Sequence, residues 1–193
     1  MALQSGEVDV TNTIDNTSCT IFTASDDYNV SSIISPRVNV TYMNHAETSP
    51  LSDIELRKAV SYAVDREAYA GLIGGSAAHS AYSDATPFGN ETIEALSYDF
   101  DKAVSTLEAA GYVDVNGDEY RENPDGSELK LRYLQAADHG SADSAILAQA
   151  VQADLKKAGI NMEILSVENL SDYQTTGDFD FYTAKDNSAP TGD

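Results

Sequence analysis

The stretch from Leu129 to Val167 constrains the fold of this chain more than any other. Leu129, Leu131 and Tyr133 alternate onto one face of a strand that runs to Leu134. A helical pattern follows from Ser141 to Ala158, with Ile146, Leu147, Ala150, Val151, Leu155 and Ala158 facing inward and Gly159 as its stop. Ile160 to Val167 is a second strand. A strand, a helix and a strand in succession imply a parallel pair with a right-handed crossover, because the helix must pack back onto the sheet it left. Asn169 is placed to cap a short helix through Tyr173, and residues 179–183 read as a last strand. The fold class is therefore α/β.

A second well-punctuated region runs from Pro50 to Gly75. Ser52 followed by Glu55 has the form of a capping box. Leu56, Ala59, Val60, Ala63 and Val64 then form one apolar stripe at helical period. Asp65 is the expected cap of an abutting helix through Tyr69 and Leu72, which Gly74 and Gly75 end. Asp99 opens a further helix, with Ala103, Val104, Leu107 and Ala110 inward and Gly111 as its stop. Residues 1–49 read as short strands, including Val30 onward and a segment from Arg37 to Met43 with Val38, Val40 and Tyr42 on one face. Residues 76–98 lack periodicity and are expected to form a long loop. Asn116-Gly117 and Asp125-Gly126 mark hairpin turns.

These same segments carry a resemblance. Pro50, Leu51, Asp53, Arg57, Ala59, Ala63, Asp65, Arg66 and Glu67 stand at the spacing of the signature helix pair of bacterial extracellular solute-binding proteins of the oligopeptide, dipeptide and nickel type. Leu3, Gly6, Glu7 and Asp9 resemble that family's segment leading to the hinge between its lobes, and Tyr42-Met43-Asn44 resembles its strand before the signature helix. Tyr98, Asp99, Asp101, Lys102, Ala103, Leu107, Ala110, Gly111 and Tyr112 resemble a further family helix, with Phe100 where proline is usual. Leu155, Ala158-Gly159-Ile160, Tyr173, Gly177, Phe179 and Asp180 fit its closing pattern.

The resemblance covers essentially the whole chain but only the second lobe of such receptors. It implies one lobe of a periplasmic-binding-protein-like (type II) fold, a mixed sheet flanked by helices. Residues 1–193 would be a single domain, the C-terminal lobe of a two-lobed protein and a piece of a longer chain. The first residues lack the basic and apolar regions of a signal peptide. The full-length protein would be extracellular or periplasmic, anchored as a lipoprotein and monomeric. It would capture a peptide, nickel chelate or similar small solute by lobe closure and deliver it to an ABC permease. No cofactor and no covalent chemistry are implied. The alternative is a small α/β hydrolase or transferase with an unrecognised active site, and a third possibility is an acidic structural surface protein.

Charge bears on partners. The chain has 11 basic and 32 acidic residues, a net charge of −21, which argues against nucleic acid and against anionic lipid. No apolar run is long enough to span a membrane. Cys19 has no disulfide partner and no activating neighbour, so a half-buried structural thiol is expected. His139, Ser141 and Asp143 lie close in sequence, but a triad is a matter of geometry, and helix capping is the simpler use. His45 and His79 lack zinc-ligand spacing.

Asp114, Asn116, Asp118 and Asp125 could occupy positions 1, 3, 5 and 12 of a calcium loop, but the glycine expected at position 6 is Glu119 and position 12 is Asp rather than Glu. A solvated hairpin is the preferred reading. For ligand contact, the resemblance points to an acidic residue near the end of the last strand, which meets the ligand amino group in peptide-binding relatives. Asp186 is the candidate, although the tryptophan of the family's form is missing here. Tyr182 is placed beside it at the strand end, where open α/β sheets bind ligands. Phe88, in Thr86-Pro87-Phe88, matches a segment near the cleft.

Overall fold

The computed structural model describes residues 2–12, 14, 16–33, 36–78, 80, 82–83, 86, 96–137 and 142–187. In chain order the elements are α1 (Ala2–Ser5), α2 (Asn16–Thr23), β1 (Arg37–Met43), a 3-10 turn (Pro50–Ser52), α3 (Ile54–Ala63), α4 (Arg66–Leu72), α5 (Phe100–Ala109), β2 (Lys130–Ala136), α6 (Ala142–Lys157), β3 (Asn161–Val167), α7 (Leu170–Thr176) and β4 (Phe181–Asn187). The strands form one four-stranded sheet in the order β1-β4-β2-β3. β2 pairs in parallel with both β3 and β4, whereas β1 pairs with β4 antiparallel. The mixed sheet and the parallel β2–α6–β3 unit are those expected from the sequence.

One face of the sheet carries the core. Leu131 and Tyr133 of β2, Met162 of β3 and Phe181 of β4 point into it. They meet Leu56, Ala59, Val60 and Ala63 of α3, Ala103 and Leu107 of α5, and Ala148, Val151 and Leu155 of α6. Asp99 caps α5 through the Lys102 N–H, and Asp65 caps α4 through the Ala68 N–H. Asn169 caps α7 through the Ser171 N–H. Gly159 ends α6 at a φ of +77°, and a Cβ there would stand 3.1 Å from Arg121 Cγ. That close approach lets Arg121 donate to the carbonyls of Ala158 and Tyr112, tying the 113–128 hairpin to the ends of two helices.

Three expectations need correction. The described residues among 1–33 form no strand: α1 and α2 are helices, and 24–33 form turns and coil. Helix propensities of Thr, Asn and Ser are middling, and tertiary context decides. Here α2 buries Phe22 edge-to-face on Tyr28, at 4.9 Å between centroids. The cap of α3 is Asp53 rather than Ser52; its Oδ1 accepts from the Glu55 N–H at 2.8 Å. Ser52 closes the preceding 3-10 turn instead, and the Ser49 hydroxyl caps that turn. Within α6, Ile146 is exposed, whereas Ala148 is fully buried. The inward stripe therefore runs through Ala148, Val151 and Leu155, where a small residue lets the helix approach the sheet.

Candidate functional site

The other face of the sheet is built differently. Strand register places Tyr42, Tyr182, Leu134 and Leu165 in one row across all four strands. Leu134 is buried, Tyr182 and Leu165 are half-buried, and Tyr42 is 37% exposed. The next positions along β1 and β4 on this face are Val40 opposite Ala184, then Val38 opposite Asp186. Successive side chains alternate across a strand, so Tyr182, Ala184 and Asp186 share this face while Thr183 and Lys185 share the other.

The aromatic rings on this face are in contact. Tyr42 stacks on Tyr182 with centroids 5.0 Å apart and planes 16° apart, and Phe179 meets Tyr182 edge-on at 4.9 Å. The Tyr42 hydroxyl donates to Asp186 Oδ2. That bond, with smaller contributions from burial and the carboxylate charge, pushes the Tyr42 phenol up to about 12. Lys185 is turned to the helix-covered side, where its Nζ lies 3.6 Å from Asp143 Oδ2 of α6. Also on that side, the Thr183 hydroxyl joins those of Thr41 and Tyr133. This face thus presents a stacked tyrosine pair at the entry of β4 and, further along the strand, a carboxylate that the Tyr42 hydroxyl reaches, an arrangement suited to a cationic group beside a flat or apolar one.

Beneath the platform a buried polar hub fixes the two strands. Asp180 is 2% exposed. Its Oδ1 accepts from the Ser49 hydroxyl at 2.6 Å, and its Oδ2 accepts from the Arg132 backbone N–H at 2.8 Å and from Arg132 Nε at 3.3 Å. Asn44 Nδ2 donates to the carbonyls of Gly177 and Phe179 at 2.9 and 2.8 Å. These bonds clamp the exit of β1 to the entry of β4, so that Tyr42 and Tyr182 keep their register. Arg57 and Arg66 have structural uses. Arg57 Nη1 donates to the Leu51 and Ser52 carbonyls, and Arg66 donates to those of Ser61 and Leu96.

Of the residues singled out from sequence, Asp186 and Tyr182 share one face of β4 but stand four residues apart, with Tyr182 at the entry of the strand and not beside Asp186 at its end, because β4 runs on to Asn187. Phe88 lies outside the described residues, as do His79, His139 and Ser141. Tyr42 was missed as a site residue. Its alternation with Val38 and Val40 gave its face, but nothing local gives the antiparallel partner β4. Asp143 begins α6 but pairs with Lys185. His45 is exposed and Cys19 is half-buried in α2.

The side chains of the calcium-loop alternative are engaged in turn hydrogen bonds. Asp114 Oδ1 accepts from the Gly117 N–H at 2.6 Å and its Oδ2 from the Glu119 N–H at 3.0 Å. Those bonds, the Gly117 bond foremost, hold its carboxyl below the usual range. Asn116 and Asp118 accept from the Asp118 and Tyr120 N–H groups. Asp125 sits in a separate turn, bonded to Ser127. Among the described residues no group of three or more His, Cys, Asp or Glu side chains is placed to hold a metal ion. A shallow depression of about 380 Å³ lies beside this hairpin, lined in part by Asn116, Glu122, Glu128 and Asn161. Its central carboxylate, Glu122, is already occupied by the Val115 N–H and Asn116 Nδ2.

Over residues 1–193 the chain matches the family described as bacterial extracellular solute-binding proteins, family 5 Middle. The chain belongs to this family. Two curated relatives, both from Escherichia coli (strain K12), are a dipeptide-binding protein, 26% identical over 137 residues, and a nickel-binding periplasmic protein, 26% identical over 129 residues. The matched regions cover 69% and 65% of this chain and 24% of each relative, so the chain spans about a quarter of their length. Among solved structures, NikA from Brucella suis, in complex with Fe(III)-EDTA, is similar at a TM-score of 0.83 and 25% identity, over 96% of this chain and 38% of that one. The chain thus has the fold of a part of the type II periplasmic binding proteins, and the comparisons lend the hydrolase alternative no support. Among the described residues no helix is long and apolar enough to cross a membrane.

Proposed function

We propose that this chain is the second lobe of a two-lobed extracellular receptor, the substrate-binding component of an ABC importer. The receptor closes its lobes on a small solute and hands it to a membrane permease. It works as a monomer anchored as a lipoprotein, and it performs no covalent chemistry. The observation that carries this reading is the platform of Tyr42 and Tyr182 beside Asp186, on the sheet face opposite the helical core of a family 5 chain. The ligand class is a peptide, a nickel chelate or a similar small solute. Within it the geometry favours a ligand with a protonated amine, which Asp186 would receive while Tyr182 packs against the adjoining group.

The test uses the longer receptor that contains this chain. Native mass spectrometry identifies a solute carried through purification, and a panel of di- to pentapeptides and nickel–histidine chelates is screened for shifts in melting temperature. A carried amine-bearing solute whose stabilising effect is lost in Asp186→Asn supports the reading. Failure of the whole panel to shift the melting temperature, with no carried solute, contradicts it.

A further inference from the structure

Tyr42 has three properties that a purely structural tyrosine on this strand would not need together. Its ring lies parallel to Tyr182 at 5.0 Å, its hydroxyl reaches along the strand direction to Asp186, and it stays 37% exposed. The register explains how this is possible. Tyr42 faces Tyr182, and Asp186 is two face positions further along β4. The residue between them is Ala184, whose methyl group leaves a tyrosine side chain room to lie along the face. Tyr182 cannot replace Tyr42 in this role, because its own ring is held between Tyr42 and Phe179.

A carboxylate at the end of a strand is ordinarily free to rotate. Here one of its oxygens is fixed by a phenol, which leaves the other to receive a donor. No ion pair among the described residues involves Asp186, and the lysine next to it in sequence is committed to Asp143 on the opposite face. A hydrogen bond from a neutral phenol orients the carboxylate without cancelling its charge. The overall charge of −21 adds to the attraction for a cation.

We propose that Tyr42 is a positioning and specificity-determining residue of this site: its hydroxyl aims the Asp186 carboxylate, and its ring completes with Tyr182 a platform for a ligand that carries a protonated amine next to a flat apolar group. The inference rests on the reading of Asp186 given above and adds the residue that sets its geometry. A ligand with the same apolar group but no positive charge gains the platform alone.

The experiment titrates the longer receptor that contains this chain by NMR with two probes, phenylalanine amide and its N-acetyl derivative, on the wild type, Tyr42→Phe and Asp186→Asn. The wild type binds the ammonium probe more tightly than the acetylated one. Tyr42→Phe weakens the ammonium probe by roughly 3–10-fold, the loss of one charge-assisted hydrogen bond's orientation, and changes the acetylated probe by less than about 2-fold. Asp186→Asn abolishes the preference. If Asp186→Asn abolishes the preference but Tyr42→Phe leaves it intact, the role of Tyr42 is overturned and the reading of Asp186 stands. If Asp186→Asn leaves the preference intact, or neither probe shifts resonances on this face, the reading of Asp186 fails and the inference with it. A ligand-free measurement gives an independent check. The Tyr42 phenol, pushed up to about 12 chiefly by its bond to Asp186, should return toward an ordinary value of about 10 in Asp186→Asn. An unchanged titration would show that the aiming contact does not exist.

Discussion

Tyr69 and Tyr42 each donate a phenol hydroxyl to an aspartate, one in the helical layer and one on the opposite face of the sheet. Tyr69 is 8% exposed and reaches from α4 to Asp154 Oδ2 of α6 at 2.5 Å. Its hydroxyl also meets the Ala150 carbonyl, and Lys157 holds the other carboxylate oxygen. Burial is the first reason its phenol is raised well above the usual range, ahead of the bond to Asp154. For Tyr42 the order is reversed: the Asp186 bond comes first and burial second. The same pair of residue types thus serves two purposes. In the helical layer it satisfies polar groups that packing has already enclosed. On the other face it holds a carboxylate that stays half-exposed. Tyr112, which donates to Asp53 at 2.8 Å and is raised chiefly by burial, belongs with Tyr69.

The contrast can be broken most forcefully in the helical layer. Leu155 is fully buried between α6 and the sheet, so Leu155→Ala should cost about 2–5 kcal/mol of stability by urea unfolding, the usual range for a buried leucine truncation. Next in size is the polar hub. Asp180→Ala removes the acceptor of Ser49 and of the Arg132 side chain and backbone, and should cost roughly 2–3 kcal/mol, because the donors are left without it. This variant should also weaken ligand binding, since the hub holds β1 and β4 in register.

Tyr69→Phe should cost about 1–2 kcal/mol and leave the preference for the ammonium probe unchanged. Tyr42→Phe should do the reverse, with a stability change below about 0.5 kcal/mol, as for an exposed surface substitution. Loss of stability in Tyr42→Phe as large as in Tyr69→Phe would erase the distinction between the two regions.

The smallest effect is in pH dependence. A phenol whose folded pKa is raised contributes stability while protonated. That contribution is fully present below about pH 10, the ordinary value. It is lost as pH rises through the folded value. For Tyr42 the window therefore runs from about 10 to about 12. Tyrosinate absorbance followed against pH should lose one late-titrating tyrosine in Tyr42→Phe, while the late components of Tyr69 and Tyr112 remain.

The sequence made the helical layer legible and the open face only partly so. Helix stripes and caps are local patterns: Asp65, Asp99 and Asn169 cap where they were expected to, and Gly111, Gly159 and Gly177 take positive φ at helix ends. The β2–α6–β3 unit follows from strand, helix and strand in order. The antiparallel seating of β1 on β4 does not, because its partners lie more than 130 residues apart in sequence, as in Tyr42 and Tyr182. Asp186 follows from resemblance to a family, and Tyr182 from the expectation that open α/β sheets bind ligands at strand ends. Tyr42 could be found only once the register was known. The described residues among 1–33 are illegible for another reason: Thr- and Asn-rich stretches carry little local preference, and α2 forms where Phe22 is buried.

The most direct test of the account is a crystal structure of the receptor containing this chain with its captured solute. The expected result is a solute nitrogen within hydrogen-bond distance of the Asp186 carboxylate, the adjoining group packed against Tyr182, and the Tyr42 hydroxyl still on Asp186. A solute seated elsewhere on this lobe, such as the depression beside the 113–128 hairpin, with the Tyr42–Tyr182 face untouched, would contradict it.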